Sequence, residues 1–165
     1  MASLGVFFAL TKNEVRELES RNEGNRLDYV KDVIEELFFE TRREDLCETD
    51  KAWDAIHRCL TDGQLDGASA DPLAIVVLGG RSMYAGDDYL MTLKGSAEVR
   101  EAAPLLCRVT KSSLRAAYDH MDTSDYDGQV GDDDFDCTWT NFVELQGFWK
   151  RAAEKGLSVL FTADQ

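Results

Sequence analysis

Lys51, Trp53 and His57 are the residues of this chain whose types and spacing best suit chemistry. A histidine titrates near neutral pH and can serve as general acid or base. Asp87 or Asp88 would orient its ring, Trp53 would supply an apolar wall, and Tyr84 and Tyr89 would line the far side. Lys51 could hold an anion, although it lies two residues before Trp53 and points elsewhere on a regular helix. The same spacing also describes a bland alternative. Trp53, Ile56, His57 and Leu60 recur as i, i+3, i+4 and i+7 and share one helical face. On that face His57 can equally be a core histidine whose nitrogens meet a carbonyl or carboxylate.

The segment 119–136 carries eight aspartates. Counted from Thr123, Asp125, Asp127 and Gly128 fall at positions three, five and six of a calcium loop, and Asp134 at twelve. An EF-hand needs Asp at the first position and a bidentate Glu at the last, and both are missing. Asp125, Asp127 and Asp134 are thus weak metal candidates, and the default is a solvated acidic loop. Gly79-Gly80 lacks the flanking pattern of a phosphate loop and reads as a helix stop and tight turn. No cofactor is expected.

These residues need elements to position them. Leu4 to Leu10 is a short apolar run that suits a strand buried on both faces. Thr11 with Glu14 forms a capping box for a first helix that stops near Asn22 to Asn25. Leu27, Val30, Ile34, Leu37 and Phe38 mark the core stripe of a second helix, from about Leu27 to Arg43. Thr49 and Asp50 suit the start of the third helix, which carries Trp53 and His57. Asp71-Pro72 starts another element. Its Ile75-Val76-Val77 favours a strand, but the start and Gly79 favour a short helix, which we expect. Tyr89, Met91 and Leu93 alternate with Leu90 and Thr92 as in a half-buried strand. Ser96 caps a helix that contains Pro104, and Thr110 caps the next. Thr138 or Thr140 caps an aromatic helix through Trp139, Phe142, Phe148 and Trp149, stopped by Gly156. Leu157, Val159 and Phe161 form a closing strand. The expected architecture is α+β: a small mixed sheet of about three or more strands, helices mainly on one face, and a single domain over residues 1–165.

Composition excludes several roles. Of 165 residues 44% are hydrophobic, so the chain can build a core without staples. A formal net charge of −14 repels polyanions, which argues against nucleic acid and anionic membrane and for a basic protein or a metal ion as partner. No apolar run approaches the ~20 residues of a spanning helix. Cys47, Cys59, Cys107 and Cys137 show no zinc spacing and read as reduced thiols of a cytoplasmic protein.

The pattern Lys51-x-Trp53-x-x-x-His57-x-x-Leu60-Thr61-x-Gly63, then Asp71-Pro72-Leu73 and Leu78-Gly79-Gly80, resembles the YfbM-like family. These are small bacterial proteins classed as a domain of unknown function. The resemblance implies an α+β domain of this size, of bacterial or phage origin, with no established activity or cofactor. Where family members have a Gly-Tyr-Gly-like segment, this chain has Tyr84-Ala85-Gly86-Asp87-Asp88-Tyr89. Two functions follow as expectations. The first is a non-enzymatic acidic interaction module that binds a basic partner, by analogy with toxin-immunity proteins. The alternative is a small enzyme or ligand-binding domain with a pocket around Trp53 and His57.

Overall fold

A computed structural model describes residues 3–165. Five strands, β1 (Gly5–Leu10), β2 (Leu46–Asp50), β3 (Arg81–Ser82), β4 (Tyr89–Lys94) and β5 (Ser158–Asp164), form one sheet in the order β2-β1-β5-β4-β3. Every neighbouring pair is antiparallel, so the sheet is larger than three strands and not mixed. Parallel neighbours would need crossovers that return to the same end; here each element between paired strands brings the chain back in the opposite sense.

Both faces of the sheet are covered, which corrects the expectation of helices mainly on one face. In β1, Phe8 and Leu10 join Leu160, Met91 and Leu93 against α1 (Lys12–Ser20), α2 (Glu23–Tyr29) and α3 (Glu35–Thr41). Phe7 and Ala9 point the other way. With Val159 and Phe161 they pack under α4 (Ala52–Leu60), α5 (Ser96–Cys107), α6 (Lys111–His120) and α7 (Asp132–Glu154). Consecutive apolar residues in the central strands require this, because successive side chains leave opposite faces of a strand.

A π-helical turn, Val30–Ile34, joins α2 to α3, and the Glu35 N–H bonds back to the Val30 carbonyl. Val30, Ile34 and Phe38 are buried at four-residue intervals, a spacing that drifts around a regular helix and that the wider π turn holds in line. The cost of this phase falls on Leu37, expected in the core but exposed.

Thr49 and Asp50 end β2 rather than start a helix. The Thr49 hydroxyl donates to the Gly5 carbonyl at 3.0 Å, and Asp50 adopts φ 48°, a left-handed conformation that Asp tolerates better than most residues. Here β1 bulges, and Gly5 is required: a Cβ on it would lie 2.5 Å from Trp53 Cδ1. Pro72–Val76 forms a 3-10 turn, capped by Asp71 and closed by the Gly79 N–H on Ala74 O at 2.8 Å. Helix α7 starts at Asp132, well before Thr138 and Thr140, whose hydroxyls instead bond back to the Asp134 and Asp136 carbonyls. Three aspartates in its first turn suit the positive end of the helix dipole. Among the described residues no helix is long and apolar enough to cross a membrane.

Candidate functional site

Helix α4 carries Trp53, Ile56, His57 and Leu60 on its buried side. His57 is 0% exposed, and its Nε2 lies 2.8 Å from the Asp66 carbonyl. A carbonyl only accepts, so Nε2 carries the proton and Nδ1 is the acceptor, buried without a hydrogen-bond partner among the described residues. Burial lowers the His57 pKa; the Asp66 contact raises it, and Lys94 on the same side lowers it further. The Lys94 ammonium position is itself buried, bonded to Val77 O at 2.6 Å and to Thr92 Oγ1, and burial holds its pKa well below the ordinary lysine value.

The expected partners of His57 stand elsewhere. Asp87 and Asp88 are exposed, and Asp88 accepts from the Tyr84 hydroxyl at 3.1 Å. Tyr89 packs edge-on to Tyr84 among the residues under α1 to α3, and its hydroxyl donates to Glu35 at 3.3 Å. Period-two alternation in β4 explains the separation. Tyr89, Met91 and Leu93 leave one face, while Thr92 and Lys94 leave the face that His57 shares. No carboxylate is within hydrogen-bond reach of His57 among the described residues, and the pocket expected between His57 and Asp87 or Asp88 is not assembled.

Two clefts open instead at one end of the sheet, contiguous through Ser3, Asp50 and Gln165. The first, about 830 Å³, is lined by Glu35, Glu48, Asp50 and Asp164 together with Leu4, Val6, Phe39, Tyr89 and Thr162. The second, about 710 Å³, brings together two groups that the sequence keeps apart: Lys51 and Trp53 from the start of α4, and Asp125, Asp127 and Asp134 from the acidic segment. Trp53 is nearly buried, packed on Phe161 with centroids 5.5 Å apart, and its Nε1 donates to Ser3 O at 2.8 Å. Lys51 is exposed.

Arg58, fully buried, organises the acidic segment. Its Nη1 donates to Asp125 at 2.7 Å and to Asp122 O at 2.9 Å, and its Nε donates to Asp54. Asp134 receives the hydroxyls of Tyr118 and Tyr126. Burial, then Asp134, pushes Tyr118 up to about 12. Asp125 and Asp134 are therefore directed at Arg58 and at tyrosines. No group of three or more His, Cys, Asp or Glu among the described residues is placed to hold a metal. Cys47 and Cys59 are buried free thiols, pushed up to about 12 mainly by burial, while free Cys107 and Cys137 are exposed.

Sequence reasoning missed Glu35, Asp54, Arg58 and Lys94. Arg58 had a legible signal, since it follows a buried histidine on a nine-residue helix and has Asp54 four residues before it.

The family model described as "Domain of unknown function (DUF1877)" matches residues 1–162. No curated protein matches the chain. Among solved structures, the protein of unknown function YfbM from Escherichia coli is similar in fold, with a TM-score of 0.70 and 21% sequence identity over 97% of this chain and 99% of that one. The family-model match, which spans nearly the whole length, places this chain in the DUF1877 family, a domain of unknown function.

Proposed function

We propose that the protein is a non-enzymatic interaction module that binds a basic protein at the acidic end of its sheet. The observation that carries this reading is the lining of the two contiguous clefts. The first contributes four carboxylates and the second five, with Asp50 common to both; among the described lining residues Lys51 is the one cation, and Arg58 behind the second cleft pairs with Asp54 and Asp125. Concentrating one sign of charge in concave surface steers an opposite partner and aligns it on contact. The sealed imidazole of His57 supports the non-enzymatic side, since a general base must reach its substrate. Unpaired buried thiols suit a reducing cytosol. Immunity-type proteins, which neutralise a basic partner in bacteria, are the kind of module this reading describes.

The test is binding of a lysine- and arginine-rich peptide by calorimetry at low and high salt. Glu48→Lys/Asp164→Lys should weaken binding at least about tenfold, and raising the salt should weaken wild-type binding. The control Glu101→Lys/Glu144→Lys changes the net charge equally at exposed positions outside the clefts and should stay within about twofold of wild type. Equal losses in both variants would reduce the effect to net charge and overturn the reading.

A further inference from the structure

We propose that the first cleft receives an alkylammonium group, a single protonated amine on an apolar arm, at Glu35. The assignment rests on the reading of the acidic end as a receiver of basic groups, and it names the group received.

Four observations converge on Glu35. First, the π turn sets its direction: the Glu35 N–H closes the turn on Val30 O. The π turn buries Ile34 and α3 buries Phe38, while Glu35 and Phe39, one turn apart, line the cleft. Second, Glu35 is half-buried beside an apolar wall of Val6 and Phe39, and burial raises its pKa from the ordinary glutamate value, while the Tyr89 hydrogen bond and Lys31 oppose the rise. Third, a positioning residue holds it. Tyr89 is 3% exposed, is bonded to Thr162, and donates its hydroxyl to Glu35 Oε1, which leaves Oε2 for a ligand. Fourth, the wall already accommodates this chemistry within the chain. The Lys31 ammonium lies 4.9 Å from the Tyr89 ring centroid and 3.7 Å from Asp164. A cation is attracted to an aromatic face, and more so when water is partly excluded.

The same geometry selects among ligands. Among the described residues the lining carries four carboxylates, of which Lys31 offsets Asp164 alone at 3.7 Å, and the remaining negative charge repels anions. A guanidinium gains most from two parallel bonds to one carboxylate, and Tyr89 already engages one Glu35 oxygen. An ammonium needs one strong acceptor, and its alkyl arm finds Leu4, Val6 and Phe39. Such a group comes either from a lysine side chain of a basic partner or from a free amine.

The experiment is a heteronuclear NMR titration of the full chain with n-butylammonium, with n-butanol as neutral isostere and a lysine-rich peptide as the second arm. The amine is expected to shift the amides of Val6, Glu35, Phe39 and Thr162 saturably, and n-butanol to leave them unmoved. Glu35→Gln should weaken the amine about tenfold, as expected for loss of a hydrogen bond to a charged group. Tyr89→Phe keeps the packing and the carboxylate and should weaken it by a smaller factor; its intact spectrum guards against reading a misfolded variant as a binding loss. Amine shifts that map elsewhere, or that survive Glu35→Gln in a folded protein, overturn the site. Peptide binding that is sensitive to Glu48→Lys/Asp164→Lys but indifferent to Glu35→Gln keeps the acidic end and removes this site. Glu35-dependent amine binding without peptide binding keeps the site, assigns it to free amines, and removes the protein-partner reading.

Discussion

Replacing Arg58 with methionine isolates one buried charge, because the long unbranched side chain keeps much of the volume while removing the guanidinium. Arg58 is wholly buried between Asp54, whose side chain is 18% exposed, and Asp125, which is 67% exposed. Removing one member of a buried pair costs about 3–5 kcal/mol, because the other charge is left without compensation. Asp54 carries most of that. Asp125 reaches water and accounts for at most about 1 kcal/mol. An opposing contribution comes from Arg58 Nη2, which is buried without a hydrogen-bond partner among the described residues; deleting such a group returns about 1–3 kcal/mol. The net expectation is a loss of about 2 kcal/mol, or a fall in Tm of roughly 4–8 °C for a domain of this size. Urea unfolding followed by circular dichroism measures it, and hydrogen exchange should accelerate over residues 122–131, which Arg58 ties to α4 through Asp122 O and Asp125. Asp125→Asn should cost less than about 1 kcal/mol, and adding Asp54→Leu to Arg58→Met should recover much of the loss by removing the orphaned carboxylate. If Arg58→Met is indistinguishable from wild type, or Asp125→Asn costs as much, the buried-charge reasoning is wrong.

Two further predictions concern buried bases whose folded pKa is depressed. For His57 the unfolded chain takes up a proton first on acidification, so its contribution is fully present above about pH 6.5 and is lost as pH falls toward the folded value. His57→Gln should flatten the stability profile between about pH 5 and pH 7; a His57 ring resonance that titrates like a solvated imidazole would contradict this. For Lys94 the unfolded chain is protonated below about pH 10.4, so wild-type stability declines as pH drops from there. Lys94→Met should therefore compare more favourably with wild type at pH 7 than at pH 10, and an unchanged gap between the two would refute the buried-amine account.

Where local pattern and packing agreed, the chain was legible. Thr11 and Glu14 form the capping box their spacing requires, with Glu14 N on Thr11 Oγ1 at 3.3 Å and Thr11 N on Glu14 Oε1 at 2.9 Å. Tyr89 to Leu93 alternates as a strand must, and the aromatic helix ends at Gly156, with φ 68°. Thr49 and Asp50 end a strand instead of starting a helix because Thr and Asp cap helices as readily as they end strands, and only pairing with β1 selects the strand. The acidic run looked like loop throughout because Asp solvates well, yet its last part is the first turn of α7.

The sequence alone determined the α+β class, the acidic character and the apolar faces, because these depend on composition and on periods of two and 3.6 residues. It also showed that Trp53 and His57 share a face. Only the tertiary structure decided which face of β4 meets α4, and hence that Tyr89 turns away from His57 and toward Glu35. A strand's side chains alternate whatever their chemistry, and the sheet between two layers divides residues close in sequence while its end gathers distant ones. That is why Lys51 meets Asp125 in one cleft, and Glu35 meets Tyr89 and Asp164 in the other.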